Sequence, residues 1–222
     1  MTTDTLIRWS GRAGLLGGIL LALNFLFLPG GADPAPATVQ LHTPYAAEHS
    51  LAVFGLVLIL FGLTGIYTVQ AQAVGRLGLL GYVLSFVACA LLVGVSYSDA
   101  YVYPTVAAAA PHLFDLAGAL VNGPIVLAYA LPSVGLLLGA LLLGVATLRA
   151  QKLSRAATLC FLLGAVLLNL PPQPQGPVPL LVIDLGAVVW AVGLGWLGLT
   201  LERASKQAAV PAVALAEEQA HP

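Results

Sequence analysis

Charged residues are scarce in this chain: only 8% of its 222 residues are charged. Soluble domains carry roughly 25% charged residues, so a water-soluble globular fold is excluded. The formal net charge is −1, and no basic stripe is present that could meet phosphates, which argues against a nucleic-acid partner. Hydrophobic residues make up 59% of the chain, and the lipid bilayer is therefore its expected partner.

Recognisable catalytic motifs are also lacking. The sequence contains no G-x-S-x-G element, no P-loop, no dinucleotide fingerprint and no kinase signature. Its two cysteines, Cys89 and Cys160, lie in apolar runs and have neither redox nor zinc-finger spacing. We therefore assign both cysteines to the apolar core, and we interpret the chain first as a non-enzymatic protein.

Long apolar runs are abundant, and each is long enough to cross a hydrocarbon core of ~30 Å at ~1.5 Å per residue. Backbone amides in lipid must be satisfied within the segment, so these runs are predicted to be helices. The predicted fold is an all-α transmembrane bundle, one domain over residues 1–201, with a flexible cytoplasmic tail over 202–222. Its six predicted spans are approximately 13–28, 50–69, 77–97, 125–148, 156–170 and 178–201.

The basic residues all fall on one side of the predicted bundle, as the positive-inside rule requires of cytoplasmic loops. The opposite side has no Lys or Arg. This segregation predicts a multi-pass protein of the cell membrane with both termini in the cytoplasm. The eight basic residues are Arg8, Arg12, Arg76, Arg149, Lys152, Arg155, Arg203 and Lys206.

Three further patterns leave alternatives open. Arg8 and Arg12, the first apolar run and Ala35-Pro-Ala37 are compatible with a cleavable signal peptide, although we favour an uncleaved first span. Similar short sequences recur where spans begin and end, which fits three helical hairpins but also fits low-complexity apolar sequence. Glycine-rich helix faces, such as Gly135-x-x-x-Gly139, are expected to pack against one another or to dock membrane-protein subunits.

The longest interruption between apolar runs covers residues 96–124 and carries Asp99, His112 and Asp115. A spacing of three places His112 and Asp115 on one helical face. This pattern predicts an amphipathic helix over about 111–122 that lies on the outer interface between spans three and four. Its predicted apolar face consists of Leu113, Leu116, Ala117 and Leu120, and the residues assigned to an interfacial aromatic belt are Tyr97, Tyr101 and Tyr103.

Several polar side chains fall at about the same depth near the outer ends of the spans. Asp184 lies about six residues into the last span, where a carboxylate costs ~2.5–3.5 kcal/mol and usually faces a bundle interior or a wet cavity. It is either a ligand-binding group or a residue that locks helix contacts. The inner halves hold no ionisable side chain, which weighs against ion-coupled transport. An outward-facing polar vestibule is predicted, with candidate ligand-binding residues Asp184, Asn24, Tyr129, Asn169 and Asp99.

Histidines and carboxylates on the predicted outer side form a second candidate set. Such groups from separate loops can converge on zinc or another divalent ion. A b-type haem held by His49 and His112 is also conceivable. The spacing contains no HExxH motif, and the simplest expectation is that no cofactor is bound. The candidate metal ligands are His42, His49, His112, Asp115 and Glu48.

Three interpretations of function follow from these observations. The first is an accessory or scaffold subunit, or a lipid-binding bundle, with an outward-facing polar vestibule. The second is an outer-face metal- or haem-binding protein or enzyme that uses the histidine and aspartate residues. The third is a small-molecule permease.

Overall fold

The structure is a computed structural model, and it describes residues 3–27, 37–41, 43–115, 117–170 and 181–201. The regular structure of these residues is helical and contains no strand, which confirms the predicted all-α class. The predicted cytoplasmic tail lies outside the described residues.

Long helices dominate the described part of the chain. A π-helical turn, Ser98–Val102, connects the third and fourth helices, and a 3₁₀ turn, Pro111–Phe114, follows the fourth. Numbered in chain order, the α-helices are α1 (Thr3–Phe27), α2 (Ala37–Gln40), α3 (Thr43–Tyr97), α4 (Tyr103–Ala109), α5 (Ala119–Asn122), α6 (Ile125–Ala150), α7 (Arg155–Leu168) and α8 (Leu181–Leu201).

Four of the described helical stretches are long and apolar enough to cross a membrane, judged by length and composition. The predicted spans two and three both lie within one of these stretches. The predicted span five corresponds to α7, which is apolar but has only 14 residues, or ~21 Å at helical rise. The four stretches are Thr5–Leu26, Pro44–Ala109, Ile125–Ala150 and Leu181–Leu201.

Helix α3 reverses direction at Gly75. This residue has φ 56° and ψ −155°, a combination that only glycine adopts readily. Thr64 and Tyr82 would lie ~27 Å apart on an unbroken helix, yet their hydroxyl oxygens are 3.2 Å apart. Tyr67 also stacks on Tyr82, with 4.7 Å between ring centroids. Helix α3 therefore consists of two limbs, one before and one after Gly75, that lie side by side.

Close helix packing in the bundle depends on glycine. A methyl group added at Gly14 would lie 3.3 Å from Gly62 Cα and 3.7 Å from Gly198 Cα, so α1, the first limb of α3 and α8 meet there. A methyl group added at Gly139 of α6 would lie 2.5 Å from the backbone nitrogen of Ser85 in the second limb. Similar contacts join α6 to α7 and α7 to α8, and small residues permit such approach in apolar surroundings.

Charged side chains separate toward the two ends of this bundle. One end, which we call the basic end, carries exposed Arg and Lys near the start of α1, at the reversal of α3, and around the connection between α6 and α7. The other end, which we call the histidine end, contains His49 and Asp99. The described residues of the basic end are Arg8, Arg12, Arg76, Arg149, Lys152 and Arg155. Arg203 and Lys206 lie outside the described residues.

Two predictions for residues 96–124 need correction. The helix that was predicted to end at residue 97 continues through the π turn and α4 to Ala109. The single helix predicted over 111–122 is instead a 3₁₀ turn followed by the four-residue α5. It is broken because Asp115 and Gly118 have extended backbone conformations, with ψ 159° and 155°.

The predicted apolar face of that segment is also wrong in part. Phe114, which was not assigned to it, is the residue that the described part of this segment buries, and it packs with Tyr103 and Ala107 of α4. Leu116 lies outside the described residues. Leu113 and Leu120 are only partly buried beside this cluster, and Ala117 is exposed. The segment is therefore anchored by an aromatic contact, in which Tyr103 and Phe114 meet edge to face at 5.8 Å.

Candidate functional site

Three polar side chains from three helical segments meet at the histidine end. They are His49 of the first limb of α3, Asp99 of the π turn and Tyr129 of α6, and we call them the Asp99 cluster. The Tyr129 hydroxyl donates to Asp99 Oδ1 at 3.1 Å, and His49 Nε2 lies 4.0 Å from Asp99 Oδ2. Asp99 is only 2% exposed and His49 only 8%. The cluster therefore has an ionisable pair inside the protein.

The π turn contributes to the position of Asp99. A π turn is one residue wider than an α-helical turn, and here it buries two consecutive residues, Asp99 and Ala100, followed by Tyr103 at the start of α4. Such turns are rare and occur often at functional sites. A buried carboxylate is costly unless polar groups compensate it, and the phenol and imidazole beside Asp99 provide that compensation.

The hydrogen bond between His49 and the backbone indicates which of the two ring nitrogens carries the proton in the neutral imidazole. Nδ1 lies 2.9 Å from the carbonyl oxygen of Tyr45. A carbonyl can only accept, so Nδ1 carries a proton and a neutral ring presents the lone pair of Nε2 to Asp99. Two lone pairs repel each other. The pair is therefore complementary when it holds an additional proton, or when a hydrogen-bond donor lies in the 4.0 Å gap.

Neighbouring residues hold the imidazole in place from two sides. The ring of Tyr45 lies 4.1 Å from the ring of His49, centroid to centroid. The buried Asn24 of α1 donates through Nδ2 to the carbonyl oxygen of Glu48 at 2.8 Å. This bond ties α1 to α3 one residue before His49. The position of His49 thus depends on contacts from both helices.

A cleft of about 200 Å³ lies between the end of the second limb of α3, α4 and α6, and Tyr129 belongs both to its lining and to the Asp99 cluster. Ser98, Tyr103 and Tyr129 are the polar residues of its lining, whereas the remaining lining side chains are apolar. Gly94 also lines the cleft, and a methyl group added there would meet no atom within 4 Å. The cleft can therefore accept an apolar group beside a few hydrogen-bonding groups.

The candidate ligand-binding residues separate into two groups. Asp99 and Tyr129 bond to each other, and Asn24 lies on the flank of their cluster. Asn169 instead donates to a carbonyl of its own helix, and Asp184 is half-buried in the first described turn of α8.

Among the described candidate metal ligands, only His49 has a charged partner, and that partner, Asp99, belongs to the ligand-binding set. His49 faces Asp99, but Glu48 contributes its backbone carbonyl to Asn24, and His112 and Asp115 are exposed in the segment after α4. The described residues contain no group of three or more His, Cys, Asp or Glu side chains placed to hold a metal ion. His42 lies outside the described residues.

Tyr103 was missed as a site residue, because it was assigned to the interfacial aromatic belt with two other tyrosines. Tyr97 and Tyr101 are exposed, as that assignment requires, but Tyr103 is only 7% exposed and lines the cleft. Its spacing of four from Asp99 places both residues on one helical face. That spacing is the signal that could have identified it. Ser98, which lies beside Asp99, was also missed.

Comparison with known proteins assigns no family. No protein-family model, no curated protein and no solved structure matches this chain significantly. The geometry itself defines the chemistry that is possible: the pair of His49 and Asp99 can hold a proton or a hydrogen-bond donor, and the adjacent cleft can hold an apolar group.

Proposed function

We propose that this protein is an integral membrane protein that crosses the bilayer six times and binds an amphipathic, lipid-like molecule at its histidine end. One observation carries the proposal: an apolar cleft whose lining includes Tyr129, the same residue that donates to the buried Asp99.

Six crossings are supported by the reversal at Gly75. A straight helix of 55 residues, the length of α3, would extend ~80 Å, far more than the ~30 Å hydrocarbon core. Two crossings within this stretch match that thickness better. For the shorter α7, a position in lipid is supported by Leu159 and Leu163, which are both 55% exposed.

The distribution of charge supports an orientation. The exposed Arg and Lys side chains at the basic end match the enrichment of cytoplasmic loops in basic residues. We therefore propose that the basic end faces the cytoplasm and that the histidine end faces the opposite side of the cell membrane.

The chemistry of the cleft supports an amphipathic ligand. Its apolar lining suits a hydrocarbon chain or ring, and the hydroxyl groups of Tyr103 and Tyr129 suit a head group that donates or accepts hydrogen bonds. Pockets that bind small molecules share this plan of apolar walls with few placed polar groups. A ligand head that donates toward Asp99 would also be compatible with the buried carboxylate.

Lipid binding is favoured over a scaffold role because glycine faces of the bundle pack against helices of the same chain. The glycine faces that were expected either to pack against one another or to dock partner subunits, including Gly14, Gly139 and Gly193, contact other helices of the same chain. The described chain thus uses much of its small-residue surface internally, which leaves less of it for partner helices.

A variant that fills the cleft with a larger side chain tests this proposal. Gly94→Leu extends a side chain from a lining position where an added methyl group meets no atom within 4 Å, and Ala90→Leu, one turn earlier on an exposed position of the same limb, is its matched control. Purified protein in mild detergent is extracted with organic solvent, and bound molecules are quantified by mass spectrometry. We expect the wild type and Ala90→Leu each to retain about one more amphipathic molecule per chain than Gly94→Leu. Equal amounts in all three proteins, or none in the wild type, would refute the proposal.

A metal site is the second candidate function, and the geometry of His49 supports it. A carbonyl that fixes Nδ1 while Nε2 faces a carboxylate at 4.0 Å resembles the outer-shell support of metal-binding histidines. Metal analysis and an optical spectrum of the purified protein test it. One metal ion or haem per chain that is lost in His49→Gln would favour this function, and its absence from the wild type would remove it.

A further inference from the structure

A second apolar depression lies between α1 and α8, and none of its lining residues belongs to the Asp99 cluster. We call it the α1–α8 groove, and its volume is about 240 Å³. Gly18 and Gly195 let the two helices approach, since a methyl group added at Gly18 would lie 3.0 Å from Gly195 Cα. Ile19 and Trp196, which are 46% and 39% exposed, form its rim. The groove is therefore an open apolar channel along the bundle surface.

Two arginines continue the face of α1 that lines this groove. Residues 8, 12, 15 and 19 are spaced by four, three and four, which places them on one side of a helix. Leu15 and Ile19 line the groove, and Arg8 and Arg12 are exposed one and two turns closer to the basic end. The Arg12 guanidinium lies 5.3 Å from the ring centroid of Trp9, which suits an interfacial position. Positive charge therefore lies at one end of an apolar channel.

We propose that the α1–α8 groove binds one anionic phospholipid, with its phosphate on Arg8 and Arg12 and one acyl chain along the groove. Guanidinium groups match phosphate oxygens in geometry and charge, and basic pockets between membrane helices suit anionic head groups. The side chains on α1 point toward the helix N-terminus, so both guanidinium groups extend toward the level of lipid head groups. This site is independent of the cleft at the histidine end.

Charge also disfavours a second copy of the chain as the occupant. Two copies in one membrane share the same orientation, and a twofold axis along the membrane normal would pair the groove of one copy with the groove of the other. Arg8 and Arg12 of both copies would then lie at the same level and face one another. Like charges placed in contact oppose association, whereas an anionic lipid neutralises them.

Trp196 reports on the groove directly, because it lies on the rim. The chain has three tryptophans; Trp190 is buried and the exposed Trp9 is replaced in a Trp9→Phe background. This protein is reconstituted in bilayers of phosphatidylcholine with a variable fraction of brominated phosphatidylglycerol or brominated phosphatidylcholine. Each basic residue near an anionic head group contributes about fivefold, so with two arginines we expect quenching by the anionic lipid to saturate at a mole fraction roughly 25-fold lower than quenching by phosphatidylcholine.

Three variants in the Trp9→Phe background separate a specific site from general attraction to the basic end. Arg8→Gln with Arg12→Gln should remove the preference for anionic lipid, and Arg149→Gln with Arg155→Gln, at the same end but between α6 and α7, should preserve it. Gly195→Leu has space, since a methyl group there lies 3.6 Å from the nearest atom, and should abolish the saturable quenching by filling the groove.

Several results would overturn the proposal. Equal quenching by the two lipids, or an equal loss of the preference for anionic lipid in the two double arginine variants, would show only a general attraction of anionic lipid to the basic end. Saturable quenching that persists in Gly195→Leu would place the lipid elsewhere. Protection of Trp196 from both lipids together with a dimer in native mass spectrometry would assign the groove to a second copy.

Discussion

The two ends of the bundle differ in whether their ionisable side chains are buried or exposed. At the histidine end an ionisable pair, His49 and Asp99, is buried where the helix widens into a π turn. At the basic end the described Arg and Lys side chains are exposed, and a buried contact between side chains is neutral: Gln70 Nε2 donates to Thr147 Oγ1 at 2.7 Å.

This difference indicates where binding chemistry is concentrated. A buried carboxylate opposes folding unless specific groups compensate it, and Tyr129 and His49 surround Asp99 in that way. Exposed arginines carry little cost and can set orientation or attract anionic head groups. The histidine end is therefore our candidate for selective binding, and the basic end for orientation and lipid contact.

The largest expected effect concerns the backbone at the basic end. Gly75→Ala places a side chain at φ 56° and ψ −155°, and we expect it to destabilise the protein by about 3 kcal/mol. The matched control is Gly94→Ala, which lies within the second limb of α3 and meets no atom within 4 Å; it should be neutral or stabilising by about 0.5 kcal/mol. Thermal unfolding in one detergent measures both. Similar losses for the two variants would contradict a specific role for the reversal.

A smaller effect is expected at the histidine end. Tyr129→Phe removes the donor to Asp99 Oδ1 but keeps the ring, and hydrogen bonds to charged groups contribute about 2 kcal/mol. Tyr101→Phe is the control, because that tyrosine is 49% exposed and its hydroxyl accepts a hydrogen bond from Ser50 Oγ at the surface. This control should lower the free energy of unfolding by less than about 0.5 kcal/mol. Denaturant titration of both variants compares them. If Tyr129→Phe is as stable as Tyr101→Phe, the Asp99 cluster does not stabilise this end.

The smallest effect tests the neutral contact of the basic end. Thr147→Val keeps the side-chain shape but leaves Gln70 Nε2 without its acceptor, which we expect to cost about 1 kcal/mol, as such bonds are modest between membrane helices. Thr68→Val is the control, since Thr68 is exposed and bonds only to its own helix. A loss from Thr147→Val that exceeds the loss from Tyr129→Phe would reverse the proposed ranking of the two ends.

The long apolar helices could be predicted from composition and run length alone, because lipid leaves few alternatives to helix for such segments. The segregation of basic residues was also visible in the sequence, and the exposed Arg and Lys side chains of the basic end are consistent with it. The six crossings and their orientation stay predictions, since length and composition identify four stretches that are long enough.

The Asp99 cluster could be predicted only in part. Asp99 and Tyr129 were both candidates, but the sequence around Ser96 is polar enough to suggest the end of a helix. The helix continues, because the π turn buries Asp99 and Tyr129 of α6 donates a hydrogen bond to the buried carboxylate. No periodic pattern reveals a single wide turn. The pairing with His49, 50 residues earlier, also requires the reversal at Gly75, which local spacing does not encode.

The most direct test of the proposed two-sided arrangement is labelling of single cysteines in intact cells. In a background with Cys89→Ala and Cys160→Ala, Ala108→Cys probes the histidine end and Lys152→Cys probes the basic end; both positions are exposed. We predict that an impermeant maleimide labels position 108 from outside and labels position 152 only after permeabilisation. Labelling of both positions from outside, or the reverse pattern, would contradict the proposed arrangement.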